Sequence, residues 1–295
     1  MGDMLLLRKE IRKISEGEVA ESSTDDWEQA IRLENEMADE LLTSGDAQRD
    51  DKYTEVYEKV YSSLSAERKR EMSEHYRSGA LVSAKAFLKI IGPGKNVLDI
   101  GCGFGHLTHY VALGGNRVIG IDINRKHVSE AKELYGLQKN VEFRETRGTR
   151  LDFPDATFDH VLSTSVFEHL HPKDVSRHLA EIHRVLKSRG KYIFTALTPY
   201  MRGDFARHSK DPLQRQKHGF HINERTWTEF RSLLHAHGFH GRTDFLPGRF
   251  RHRFPKLLIP VSLKGLIERH LPLKPFVLRV LRLDKVYIVS SITFH

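Results

Sequence analysis

The stretch Val97–Tyr110, VLDIGCGFGHLTHY, ends an apolar run on a carboxylate, Asp99, and follows it with Gly101, Gly103 and Gly105. Glycines directly after a buried strand let backbone N–H groups come close to a ligand and open a helix behind it. A second acid, Asp122 in VIGIDIN, closes the next apolar run. An acid at that position can accept hydrogen bonds from ribose hydroxyls, so the pair points to a nucleoside-containing cofactor. The spacing here is G-x-G-x-G, whereas a dinucleotide site wants G-x-G-x-x-G with its third glycine at the place of His106. A pyrophosphate also gains nothing from Asp99, while a cofactor with a cationic amino-acid end does. Both points argue against a dehydrogenase.

A second constellation lies further on, where SVFEHLHP sets Glu168 beside His169. The pKa range of an imidazole suits removal of a hydroxyl proton, so His169 is the candidate general base, with Glu168 orienting it or the substrate. The plainer reading makes both of them helix-start residues. Downstream, the polar and positively charged TPYMRGDFARHSKDPLQRQKHGFHINERTW concentrates Tyr200, His218 and His221, the candidate substrate contacts. The chain holds 18 histidines, but pairs such as His169/His171 and His235/His237 lack companion cysteines or a tight carboxylate cluster at ligand spacing. No metal is expected on that ground.

These residues need a frame, and the chain supplies one. NVLDI reads as a strand, 105–113 as a helix, RVIGID as a strand and 124–135 as a helix. VEFRE, FDHVLS and KYIFTAL continue the strands, with a helix over 172–186 before the last. Such alternation with nearly continuous apolar strands predicts a parallel sheet covered on both faces. A helix over 224–237 and the strands FHGRTDF and KVYIVSSITF complete the pattern. Ahead of it, YTEVYEKVYSSL repeats Tyr53, Val56, Tyr57, Val60, Tyr61 and Leu64 at helical spacing; the tyrosines could wall a substrate site, but the spacing reads first as core packing. Another helix, over 80–91, stops at Gly92-Pro93-Gly94.

At this point the chain resembles the class I S-adenosylmethionine-dependent methyltransferases. VLDIGCGFG is similar to their first motif and VIGIDIN to the second. LDFPDATFDHVLSTSVFEHLHP is similar to the fourth-strand motif, and HRVLKSRGKYIFTALTP to the fifth strand with its preceding turn. The likeness covers roughly residues 80–245. It implies an α/β, doubly wound, seven-stranded, mostly parallel sheet with an antiparallel last strand. It implies S-adenosyl-L-methionine as cofactor, with Asp99 on the methionyl ammonium and Gly101, Cys102, Gly103 and Gly105 as the backbone bed. Asp122 would take the ribose hydroxyls, Ile123 would cover adenine, and Ser163 would line the methionine end. Where relatives often read GDA, this chain has Thr146-Arg147-Gly148; Arg147 cannot accept a hydrogen bond, which leaves adenine to Thr146 or to backbone groups.

Composition bounds the rest. One cysteine among 295 residues excludes an internal disulfide framework and suits a reducing cytoplasm. No apolar run approaches the roughly 20 residues of a membrane span. The opening MGDMLLLRKEIRK has three leucines between charges, a poor signal peptide, and Leu6 stands where a myristoylation site wants Ser or Thr. The net charge of +8 is local: residues 1–60 carry 8 Lys/Arg against 17 Asp/Glu, and residues 246–285 carry 10 against 2. That basic segment holds half of the ten prolines and mixes Leu, Ile and Val with its cations. Such a stretch can lie on an anionic membrane surface or pack on the core; few aromatics interleave its cations, so nucleic acid is not the expected partner. The expected organisation is an acidic helical extension over 1–79, a methyltransferase core over 80–245, a basic insertion over 246–285 and a closing strand over 286–295. The expected activity is O-methylation of a small-molecule, saccharide or lipid-linked acceptor, in the cytoplasm or peripherally on the inner face of the membrane. The rival is a non-catalytic binding protein that has kept the fold.

Overall fold

A computed structural model describes residues 24–147, 149–197, 220–247 and 283–292. Three helices come first: α1 (Thr24–Thr43), α2 (Arg49–Ser63) and α3 (Ala66–Ile91). Strand β1 (Asn96–Ile100) leads through the glycine bend into α4 (His106–Leu113), then β2 (Arg117–Asp122), α5 (Arg125–Tyr135), β3 (Val141–Glu145) and β4 (Phe158–Thr164). Short 3-10 turns at Phe167–His169 and Pro172–Asp174 precede α6 (Val175–Val185) and β5 (Leu186–Leu197). After them come α7 (Trp227–Ala236), β6 (Phe239–Pro247) and β7 (Leu283–Ile292).

Strands β1 to β5 pair in parallel in the order β3-β2-β1-β4-β5, the parallel sheet that the alternation predicted in the doubly wound form that the resemblance implied. β7 runs antiparallel to β5, and β6 antiparallel to β7. Side chains alternate across this sheet as a period of two requires. Val97, Val118, Leu162 and Ile193 meet Leu81, Phe87 and Ile91 of α3 and Leu107 and Val111 of α4 on one face. Leu98, Ile100, Val161, Tyr192 and Phe194 meet Leu179 and Ile182 of α6 and Phe230 and Leu234 of α7 on the other. Strand order reverses between β1 and β4, so their carboxyl ends open the crevice in which this architecture binds ligands.

Three boundaries differ from the sequence reading. Ser65 caps α3 by accepting the Arg68 N–H at 3.1 Å, so the helix begins at Ala66 and position 79/80 lies inside it. The helix over 80–91 is thus its apolar, core-facing end only. β6 runs on through Pro247, tolerated because β6 is the edge strand, and β7 begins at Leu283. Both ends of the 246–285 segment therefore belong to strands, while its basic residues between 248 and 282 lie outside the described residues.

The N-terminal helices dock at the carboxyl end of the sheet. Met37, Ala38 and Leu41 of α1 and Tyr53 and Val56 of α2 form one cluster with Phe220 and Ile222, and Ile123 packs against it. Tyr53, Val56 and Tyr61 are buried, as core packing of that stripe predicts, while Tyr57 is only half-buried.

Several polar groups are folded into the core, with a consequence for pH. Burial pushes the imidazoles of His106, His160 and His178 down from 6.5 to about 4. Between those values the unfolded chain binds protons that the folded one refuses, so the stability present above pH 6.5 is lost as pH falls. Asp99 acts oppositely: burial raises its carboxyl from 3.8 to about 7, and the folded state holds a proton across that interval. These three imidazoles, joined by His169 at about 3, outweigh one carboxyl, and acidification from pH 7 to pH 5 is expected to cost on the order of 5 kcal/mol. Thermal melts across that range would show a steady fall in Tm; a flat or rising profile contradicts it.

Candidate active site

Alternation along β1 turns Asp99 toward α4, where the Thr108 hydroxyl donates to its carboxylate at 2.6 Å. Among the described residues no lysine, arginine or histidine forms an ion pair with it. Its carboxyl rises to about 7 chiefly through burial, the Thr108 hydrogen bond opposing and the Asp122 charge adding. A buried acid met by a neutral hydroxyl is a place that gains from an arriving cation.

The bend after β1 is built from its own backbone. The N–H groups of Gly101 and Cys102 donate to the Ile121 carbonyl at 2.8 and 3.0 Å, and Gly105 N–H donates to the Cys102 carbonyl at 2.9 Å. Gly105 caps α4 in the left-handed region, φ 77°, and a Cβ there would lie 2.7 Å from the Phe143 ring. Gly103 differs: at φ 52° its missing side chain would meet nothing within 4 Å. That is a backbone bed facing open space. The Cys102 side chain turns inward against Val128, Ala131 and Phe143, and burial raises its thiol well above the usual range. Its expected part in the cofactor bed is thereby restricted to the backbone, because the strand-to-bend geometry points its Cβ into the core.

Asp122 closes β2 and ties the bend to it. One carboxylate oxygen accepts the Gly103 N–H and the other the Asn124 N–H, both at 2.8 Å. Each carboxylate oxygen can accept more than one hydrogen bond, so capacity for two ribose hydroxyls remains. Ile123 follows, half-buried against the helical cluster of α1 and α2. Thr146 donates its N–H to the Asp122 carbonyl at 3.0 Å, beside the same end of the sheet. Arg147 is exposed and reaches toward Asp51 of α2 at 3.8 Å. Alternation along β4 turns Ser163 to the α6 and α7 face, where it is fully buried and its hydroxyl hydrogen-bonds the Tyr192 phenol at 2.8 Å. It still stands at the carboxyl end of β4, paired with Ile100 of β1.

Across the crevice, the turn after β4 presents Glu168, with no exposure at all, and half-buried His169. His169 Nδ1 is 3.1 Å from the Phe220 carbonyl, which can only accept, so the proton sits on Nδ1 and Nε2 offers its lone pair. Burial, and after it the neighbouring His221, pushes His169 down to about 3. At neutral pH it is a neutral hydrogen-bond acceptor and a weak base, a difference from the role its unperturbed pKa suggested. His221 joins it, ring centroids 4.9 Å apart, with its Nδ1 3.4 Å from the Glu224 carboxylate. Glu168, His169 and His221 each bring one ligating atom within 4.8 Å of the others. Tyr200 and His218 lie outside the described residues.

Sequence reasoning missed Phe220 and named Tyr57 only as one of a stripe that reads first as core packing. Their rings stack at 4.8 Å, and Tyr57 meets His169 edge-on at 6.0 Å. Burial, then its neighbours Tyr53, Asp122 and Glu168, pushes the Tyr57 phenol well above its usual range. The tyrosine stripe was the available signal; one of its members turns to the crevice when the others fill the core.

Fold and site together define a doubly wound protein whose crevice fits a nucleoside cofactor with a cationic end. A family description, the methyltransferase domain, matches residues 98–194. An uncharacterized methyltransferase of Bacillus cytotoxicus is 31% identical over 153 residues, which cover 49% of this chain and 69% of that protein. Phosphoethanolamine N-methyltransferase 3 of Arabidopsis thaliana is 33% identical over 139 residues, 46% of this chain and 26% of the plant protein. The solved structure of the YcgJ protein from Bacillus subtilis superposes with a TM-score of 0.52 at 20% identity, over 72% of this chain and 98% of that one. The chain belongs to the class I S-adenosylmethionine-dependent methyltransferase family. It spans a quarter to about half the length of several curated relatives, from 26% to 52%.

Proposed function

We propose that the protein transfers a methyl group from S-adenosylmethionine to a hydroxyl of a small-molecule, saccharide or lipid-linked acceptor. The observation that carries this reading is the buried Asp99 carboxylate, met by a hydroxyl donor, beneath a glycine bed that opens to space at Gly103. Asp99 and that bed fit a cationic amino-acid end, and Asp122 fits a ribose. When bound, the cofactor supplies a methyl group on a positively charged sulfur that leaves as a neutral thioether. Positioning supplies much of the acceleration in such a displacement. His169 Nε2 holds the acceptor hydroxyl by accepting its hydrogen bond. The Glu168 carboxylate takes its proton as the carbon–oxygen bond forms. Tyr57 and Phe220 wall the site and keep water out. Adenine falls to Ile123 and the backbone beside Thr146.

Calorimetry with S-adenosylhomocysteine, followed by labelled-methyl transfer to a panel of hydroxyl acceptors, tests the reading. Asp99→Asn is expected to weaken cofactor binding about 10–100-fold at pH 8, the worth of a charge-assisted hydrogen bond. Wild-type affinity should rise about tenfold per pH unit up to pH 7, where Asp99 ionises, and level off above it. The variant should show no such rise. No binding by the wild type at millimolar cofactor would instead support a non-catalytic binding protein.

The plant relative named for phosphoethanolamine supports a second reading, a small amine acceptor. Transfer to amines that survives Glu168→Gln would favour it. The basic character of 246–285 supports contact with an anionic membrane surface, at which a lipid-linked acceptor would be met. Co-sedimentation with anionic vesicles, with and without residues 248–282, tests that contact; equal binding by both forms removes it.

A further inference from the structure

We infer that Glu168, His169 and His221 form a binding site for one divalent first-row transition-metal ion at the acceptor end of the crevice. Three atoms no more than 4.8 Å apart share a point within about 2.8 Å of each, and side-chain movements of about 0.7 Å close that to the 2.0–2.2 Å of zinc bonds. The donor set is two imidazoles and one carboxylate, which suits zinc, manganese or iron(II) better than magnesium or calcium.

The surroundings are arranged as such a site requires. A ligating histidine usually donates its other ring N–H to a carbonyl or carboxylate, which fixes the ring and frees the ligating nitrogen. His169 does this with the Phe220 carbonyl at 3.1 Å, and His221 faces the Glu224 carboxylate with the corresponding Nδ1 at 3.4 Å. The two segments that bring the ligands are also tied together. Asn223, fully buried, donates its N–H to the Glu168 carbonyl at 2.9 Å and its side-chain amide to the Phe167 carbonyl at 3.2 Å. His221 is thereby held against the Glu168 turn by bonds that involve none of the three ligating atoms. Three protein ligands leave positions open for a water or an acceptor oxygen, as in catalytic metal sites. With an ion bound, His169 Nε2 and the Glu168 carboxylate would hold it in place of contacting the acceptor hydroxyl directly, and the ion would lower the pKa of that hydroxyl; this use rests on the proposed hydroxyl chemistry, whereas the binding does not.

The full-length protein, stripped with a chelator and dialysed, is titrated calorimetrically with zinc chloride and separately with manganese chloride. One equivalent is expected to bind with a Kd in the micromolar range or tighter, and His221→Ala and Glu168→Gln should each weaken it at least 100-fold. Cobalt(II) substitution should give visible absorption bands that are lost in His221→Ala. S-adenosylhomocysteine affinity of both variants should stay within about threefold of wild type, which shows that they fold and separates this inference from the cofactor reading. Absence of binding by the stripped protein overturns the site. So does binding of equal strength in His221→Ala, which would place the ion on other histidines of the chain.

Discussion

Replacement of Glu168 by Gln is expected to lower turnover with a hydroxyl acceptor by about 10²–10⁴-fold, the usual worth of a positioned proton acceptor. The amide preserves shape and volume at a position with no solvent exposure, so the packing of the turn after β4 survives. What disappears is the negative charge beside His169 and the ability to take a proton. His169 does not replace it, because burial holds that imidazole near 3. Cofactor affinity should remain within a few-fold, since Asp99 and Asp122 stand on β1 and β2 and not on this turn. Single-turnover kinetics at saturating cofactor separate the chemical step from binding. A rate within twofold of wild type would remove Glu168 from the reaction.

Arg49→Met should cost about 3–5 kcal/mol of stability, the range found when one member of a buried ion pair is removed. Arg49 is 1% exposed, and its guanidinium lies 3.1 Å from the Asp174 carboxylate, itself 4% exposed. The other Asp174 oxygen accepts the Tyr53 hydroxyl at 3.1 Å, and that phenol oxygen accepts the His171 N–H in turn. Truncation to Met fills the volume but leaves the carboxylate with Tyr53 and the more exposed Arg177. This network joins α2 to the segment after β4, so its loss also loosens Tyr57 against His169. A drop in Tm on the order of 10 °C is expected. The double variant with Asp174→Asn should recover part of it, because the stranded charge is gone. A Tm within 2 °C of wild type would show that the pair carries no weight.

Much of this protein was legible before any coordinates. Short, nearly continuous apolar runs alternating with period-3.6 segments dictate strands and helices locally, and parallel strands can be joined only by crossovers. The parallel pairing of β1 to β5 follows from that, and so does the position of Asp99 and Asp122 at strand ends; their order in the sheet does not. The glycine bend was readable because left-handed backbone at Gly103 and Gly105, with no room for a Cβ at Gly105, leaves few other residue types possible.

What the tertiary structure alone decided depends on contacts between distant segments. The sheet face taken by Ser163, the inward turn of Cys102 and the loss of basicity at His169 come from burial, which is a property of the packed chain. His221 reaches His169 and Glu168 only because Asn223 fastens its segment to the turn after β4. A search for ligands at fixed spacing cannot find such a trio, since sequence separation sets no limit on distance once the chain has folded back on itself. Tyr57 is the same case in reverse: its helical period fixed which stripe it belongs to, and only the docking of α2 on the carboxyl end of the sheet turned it toward the crevice.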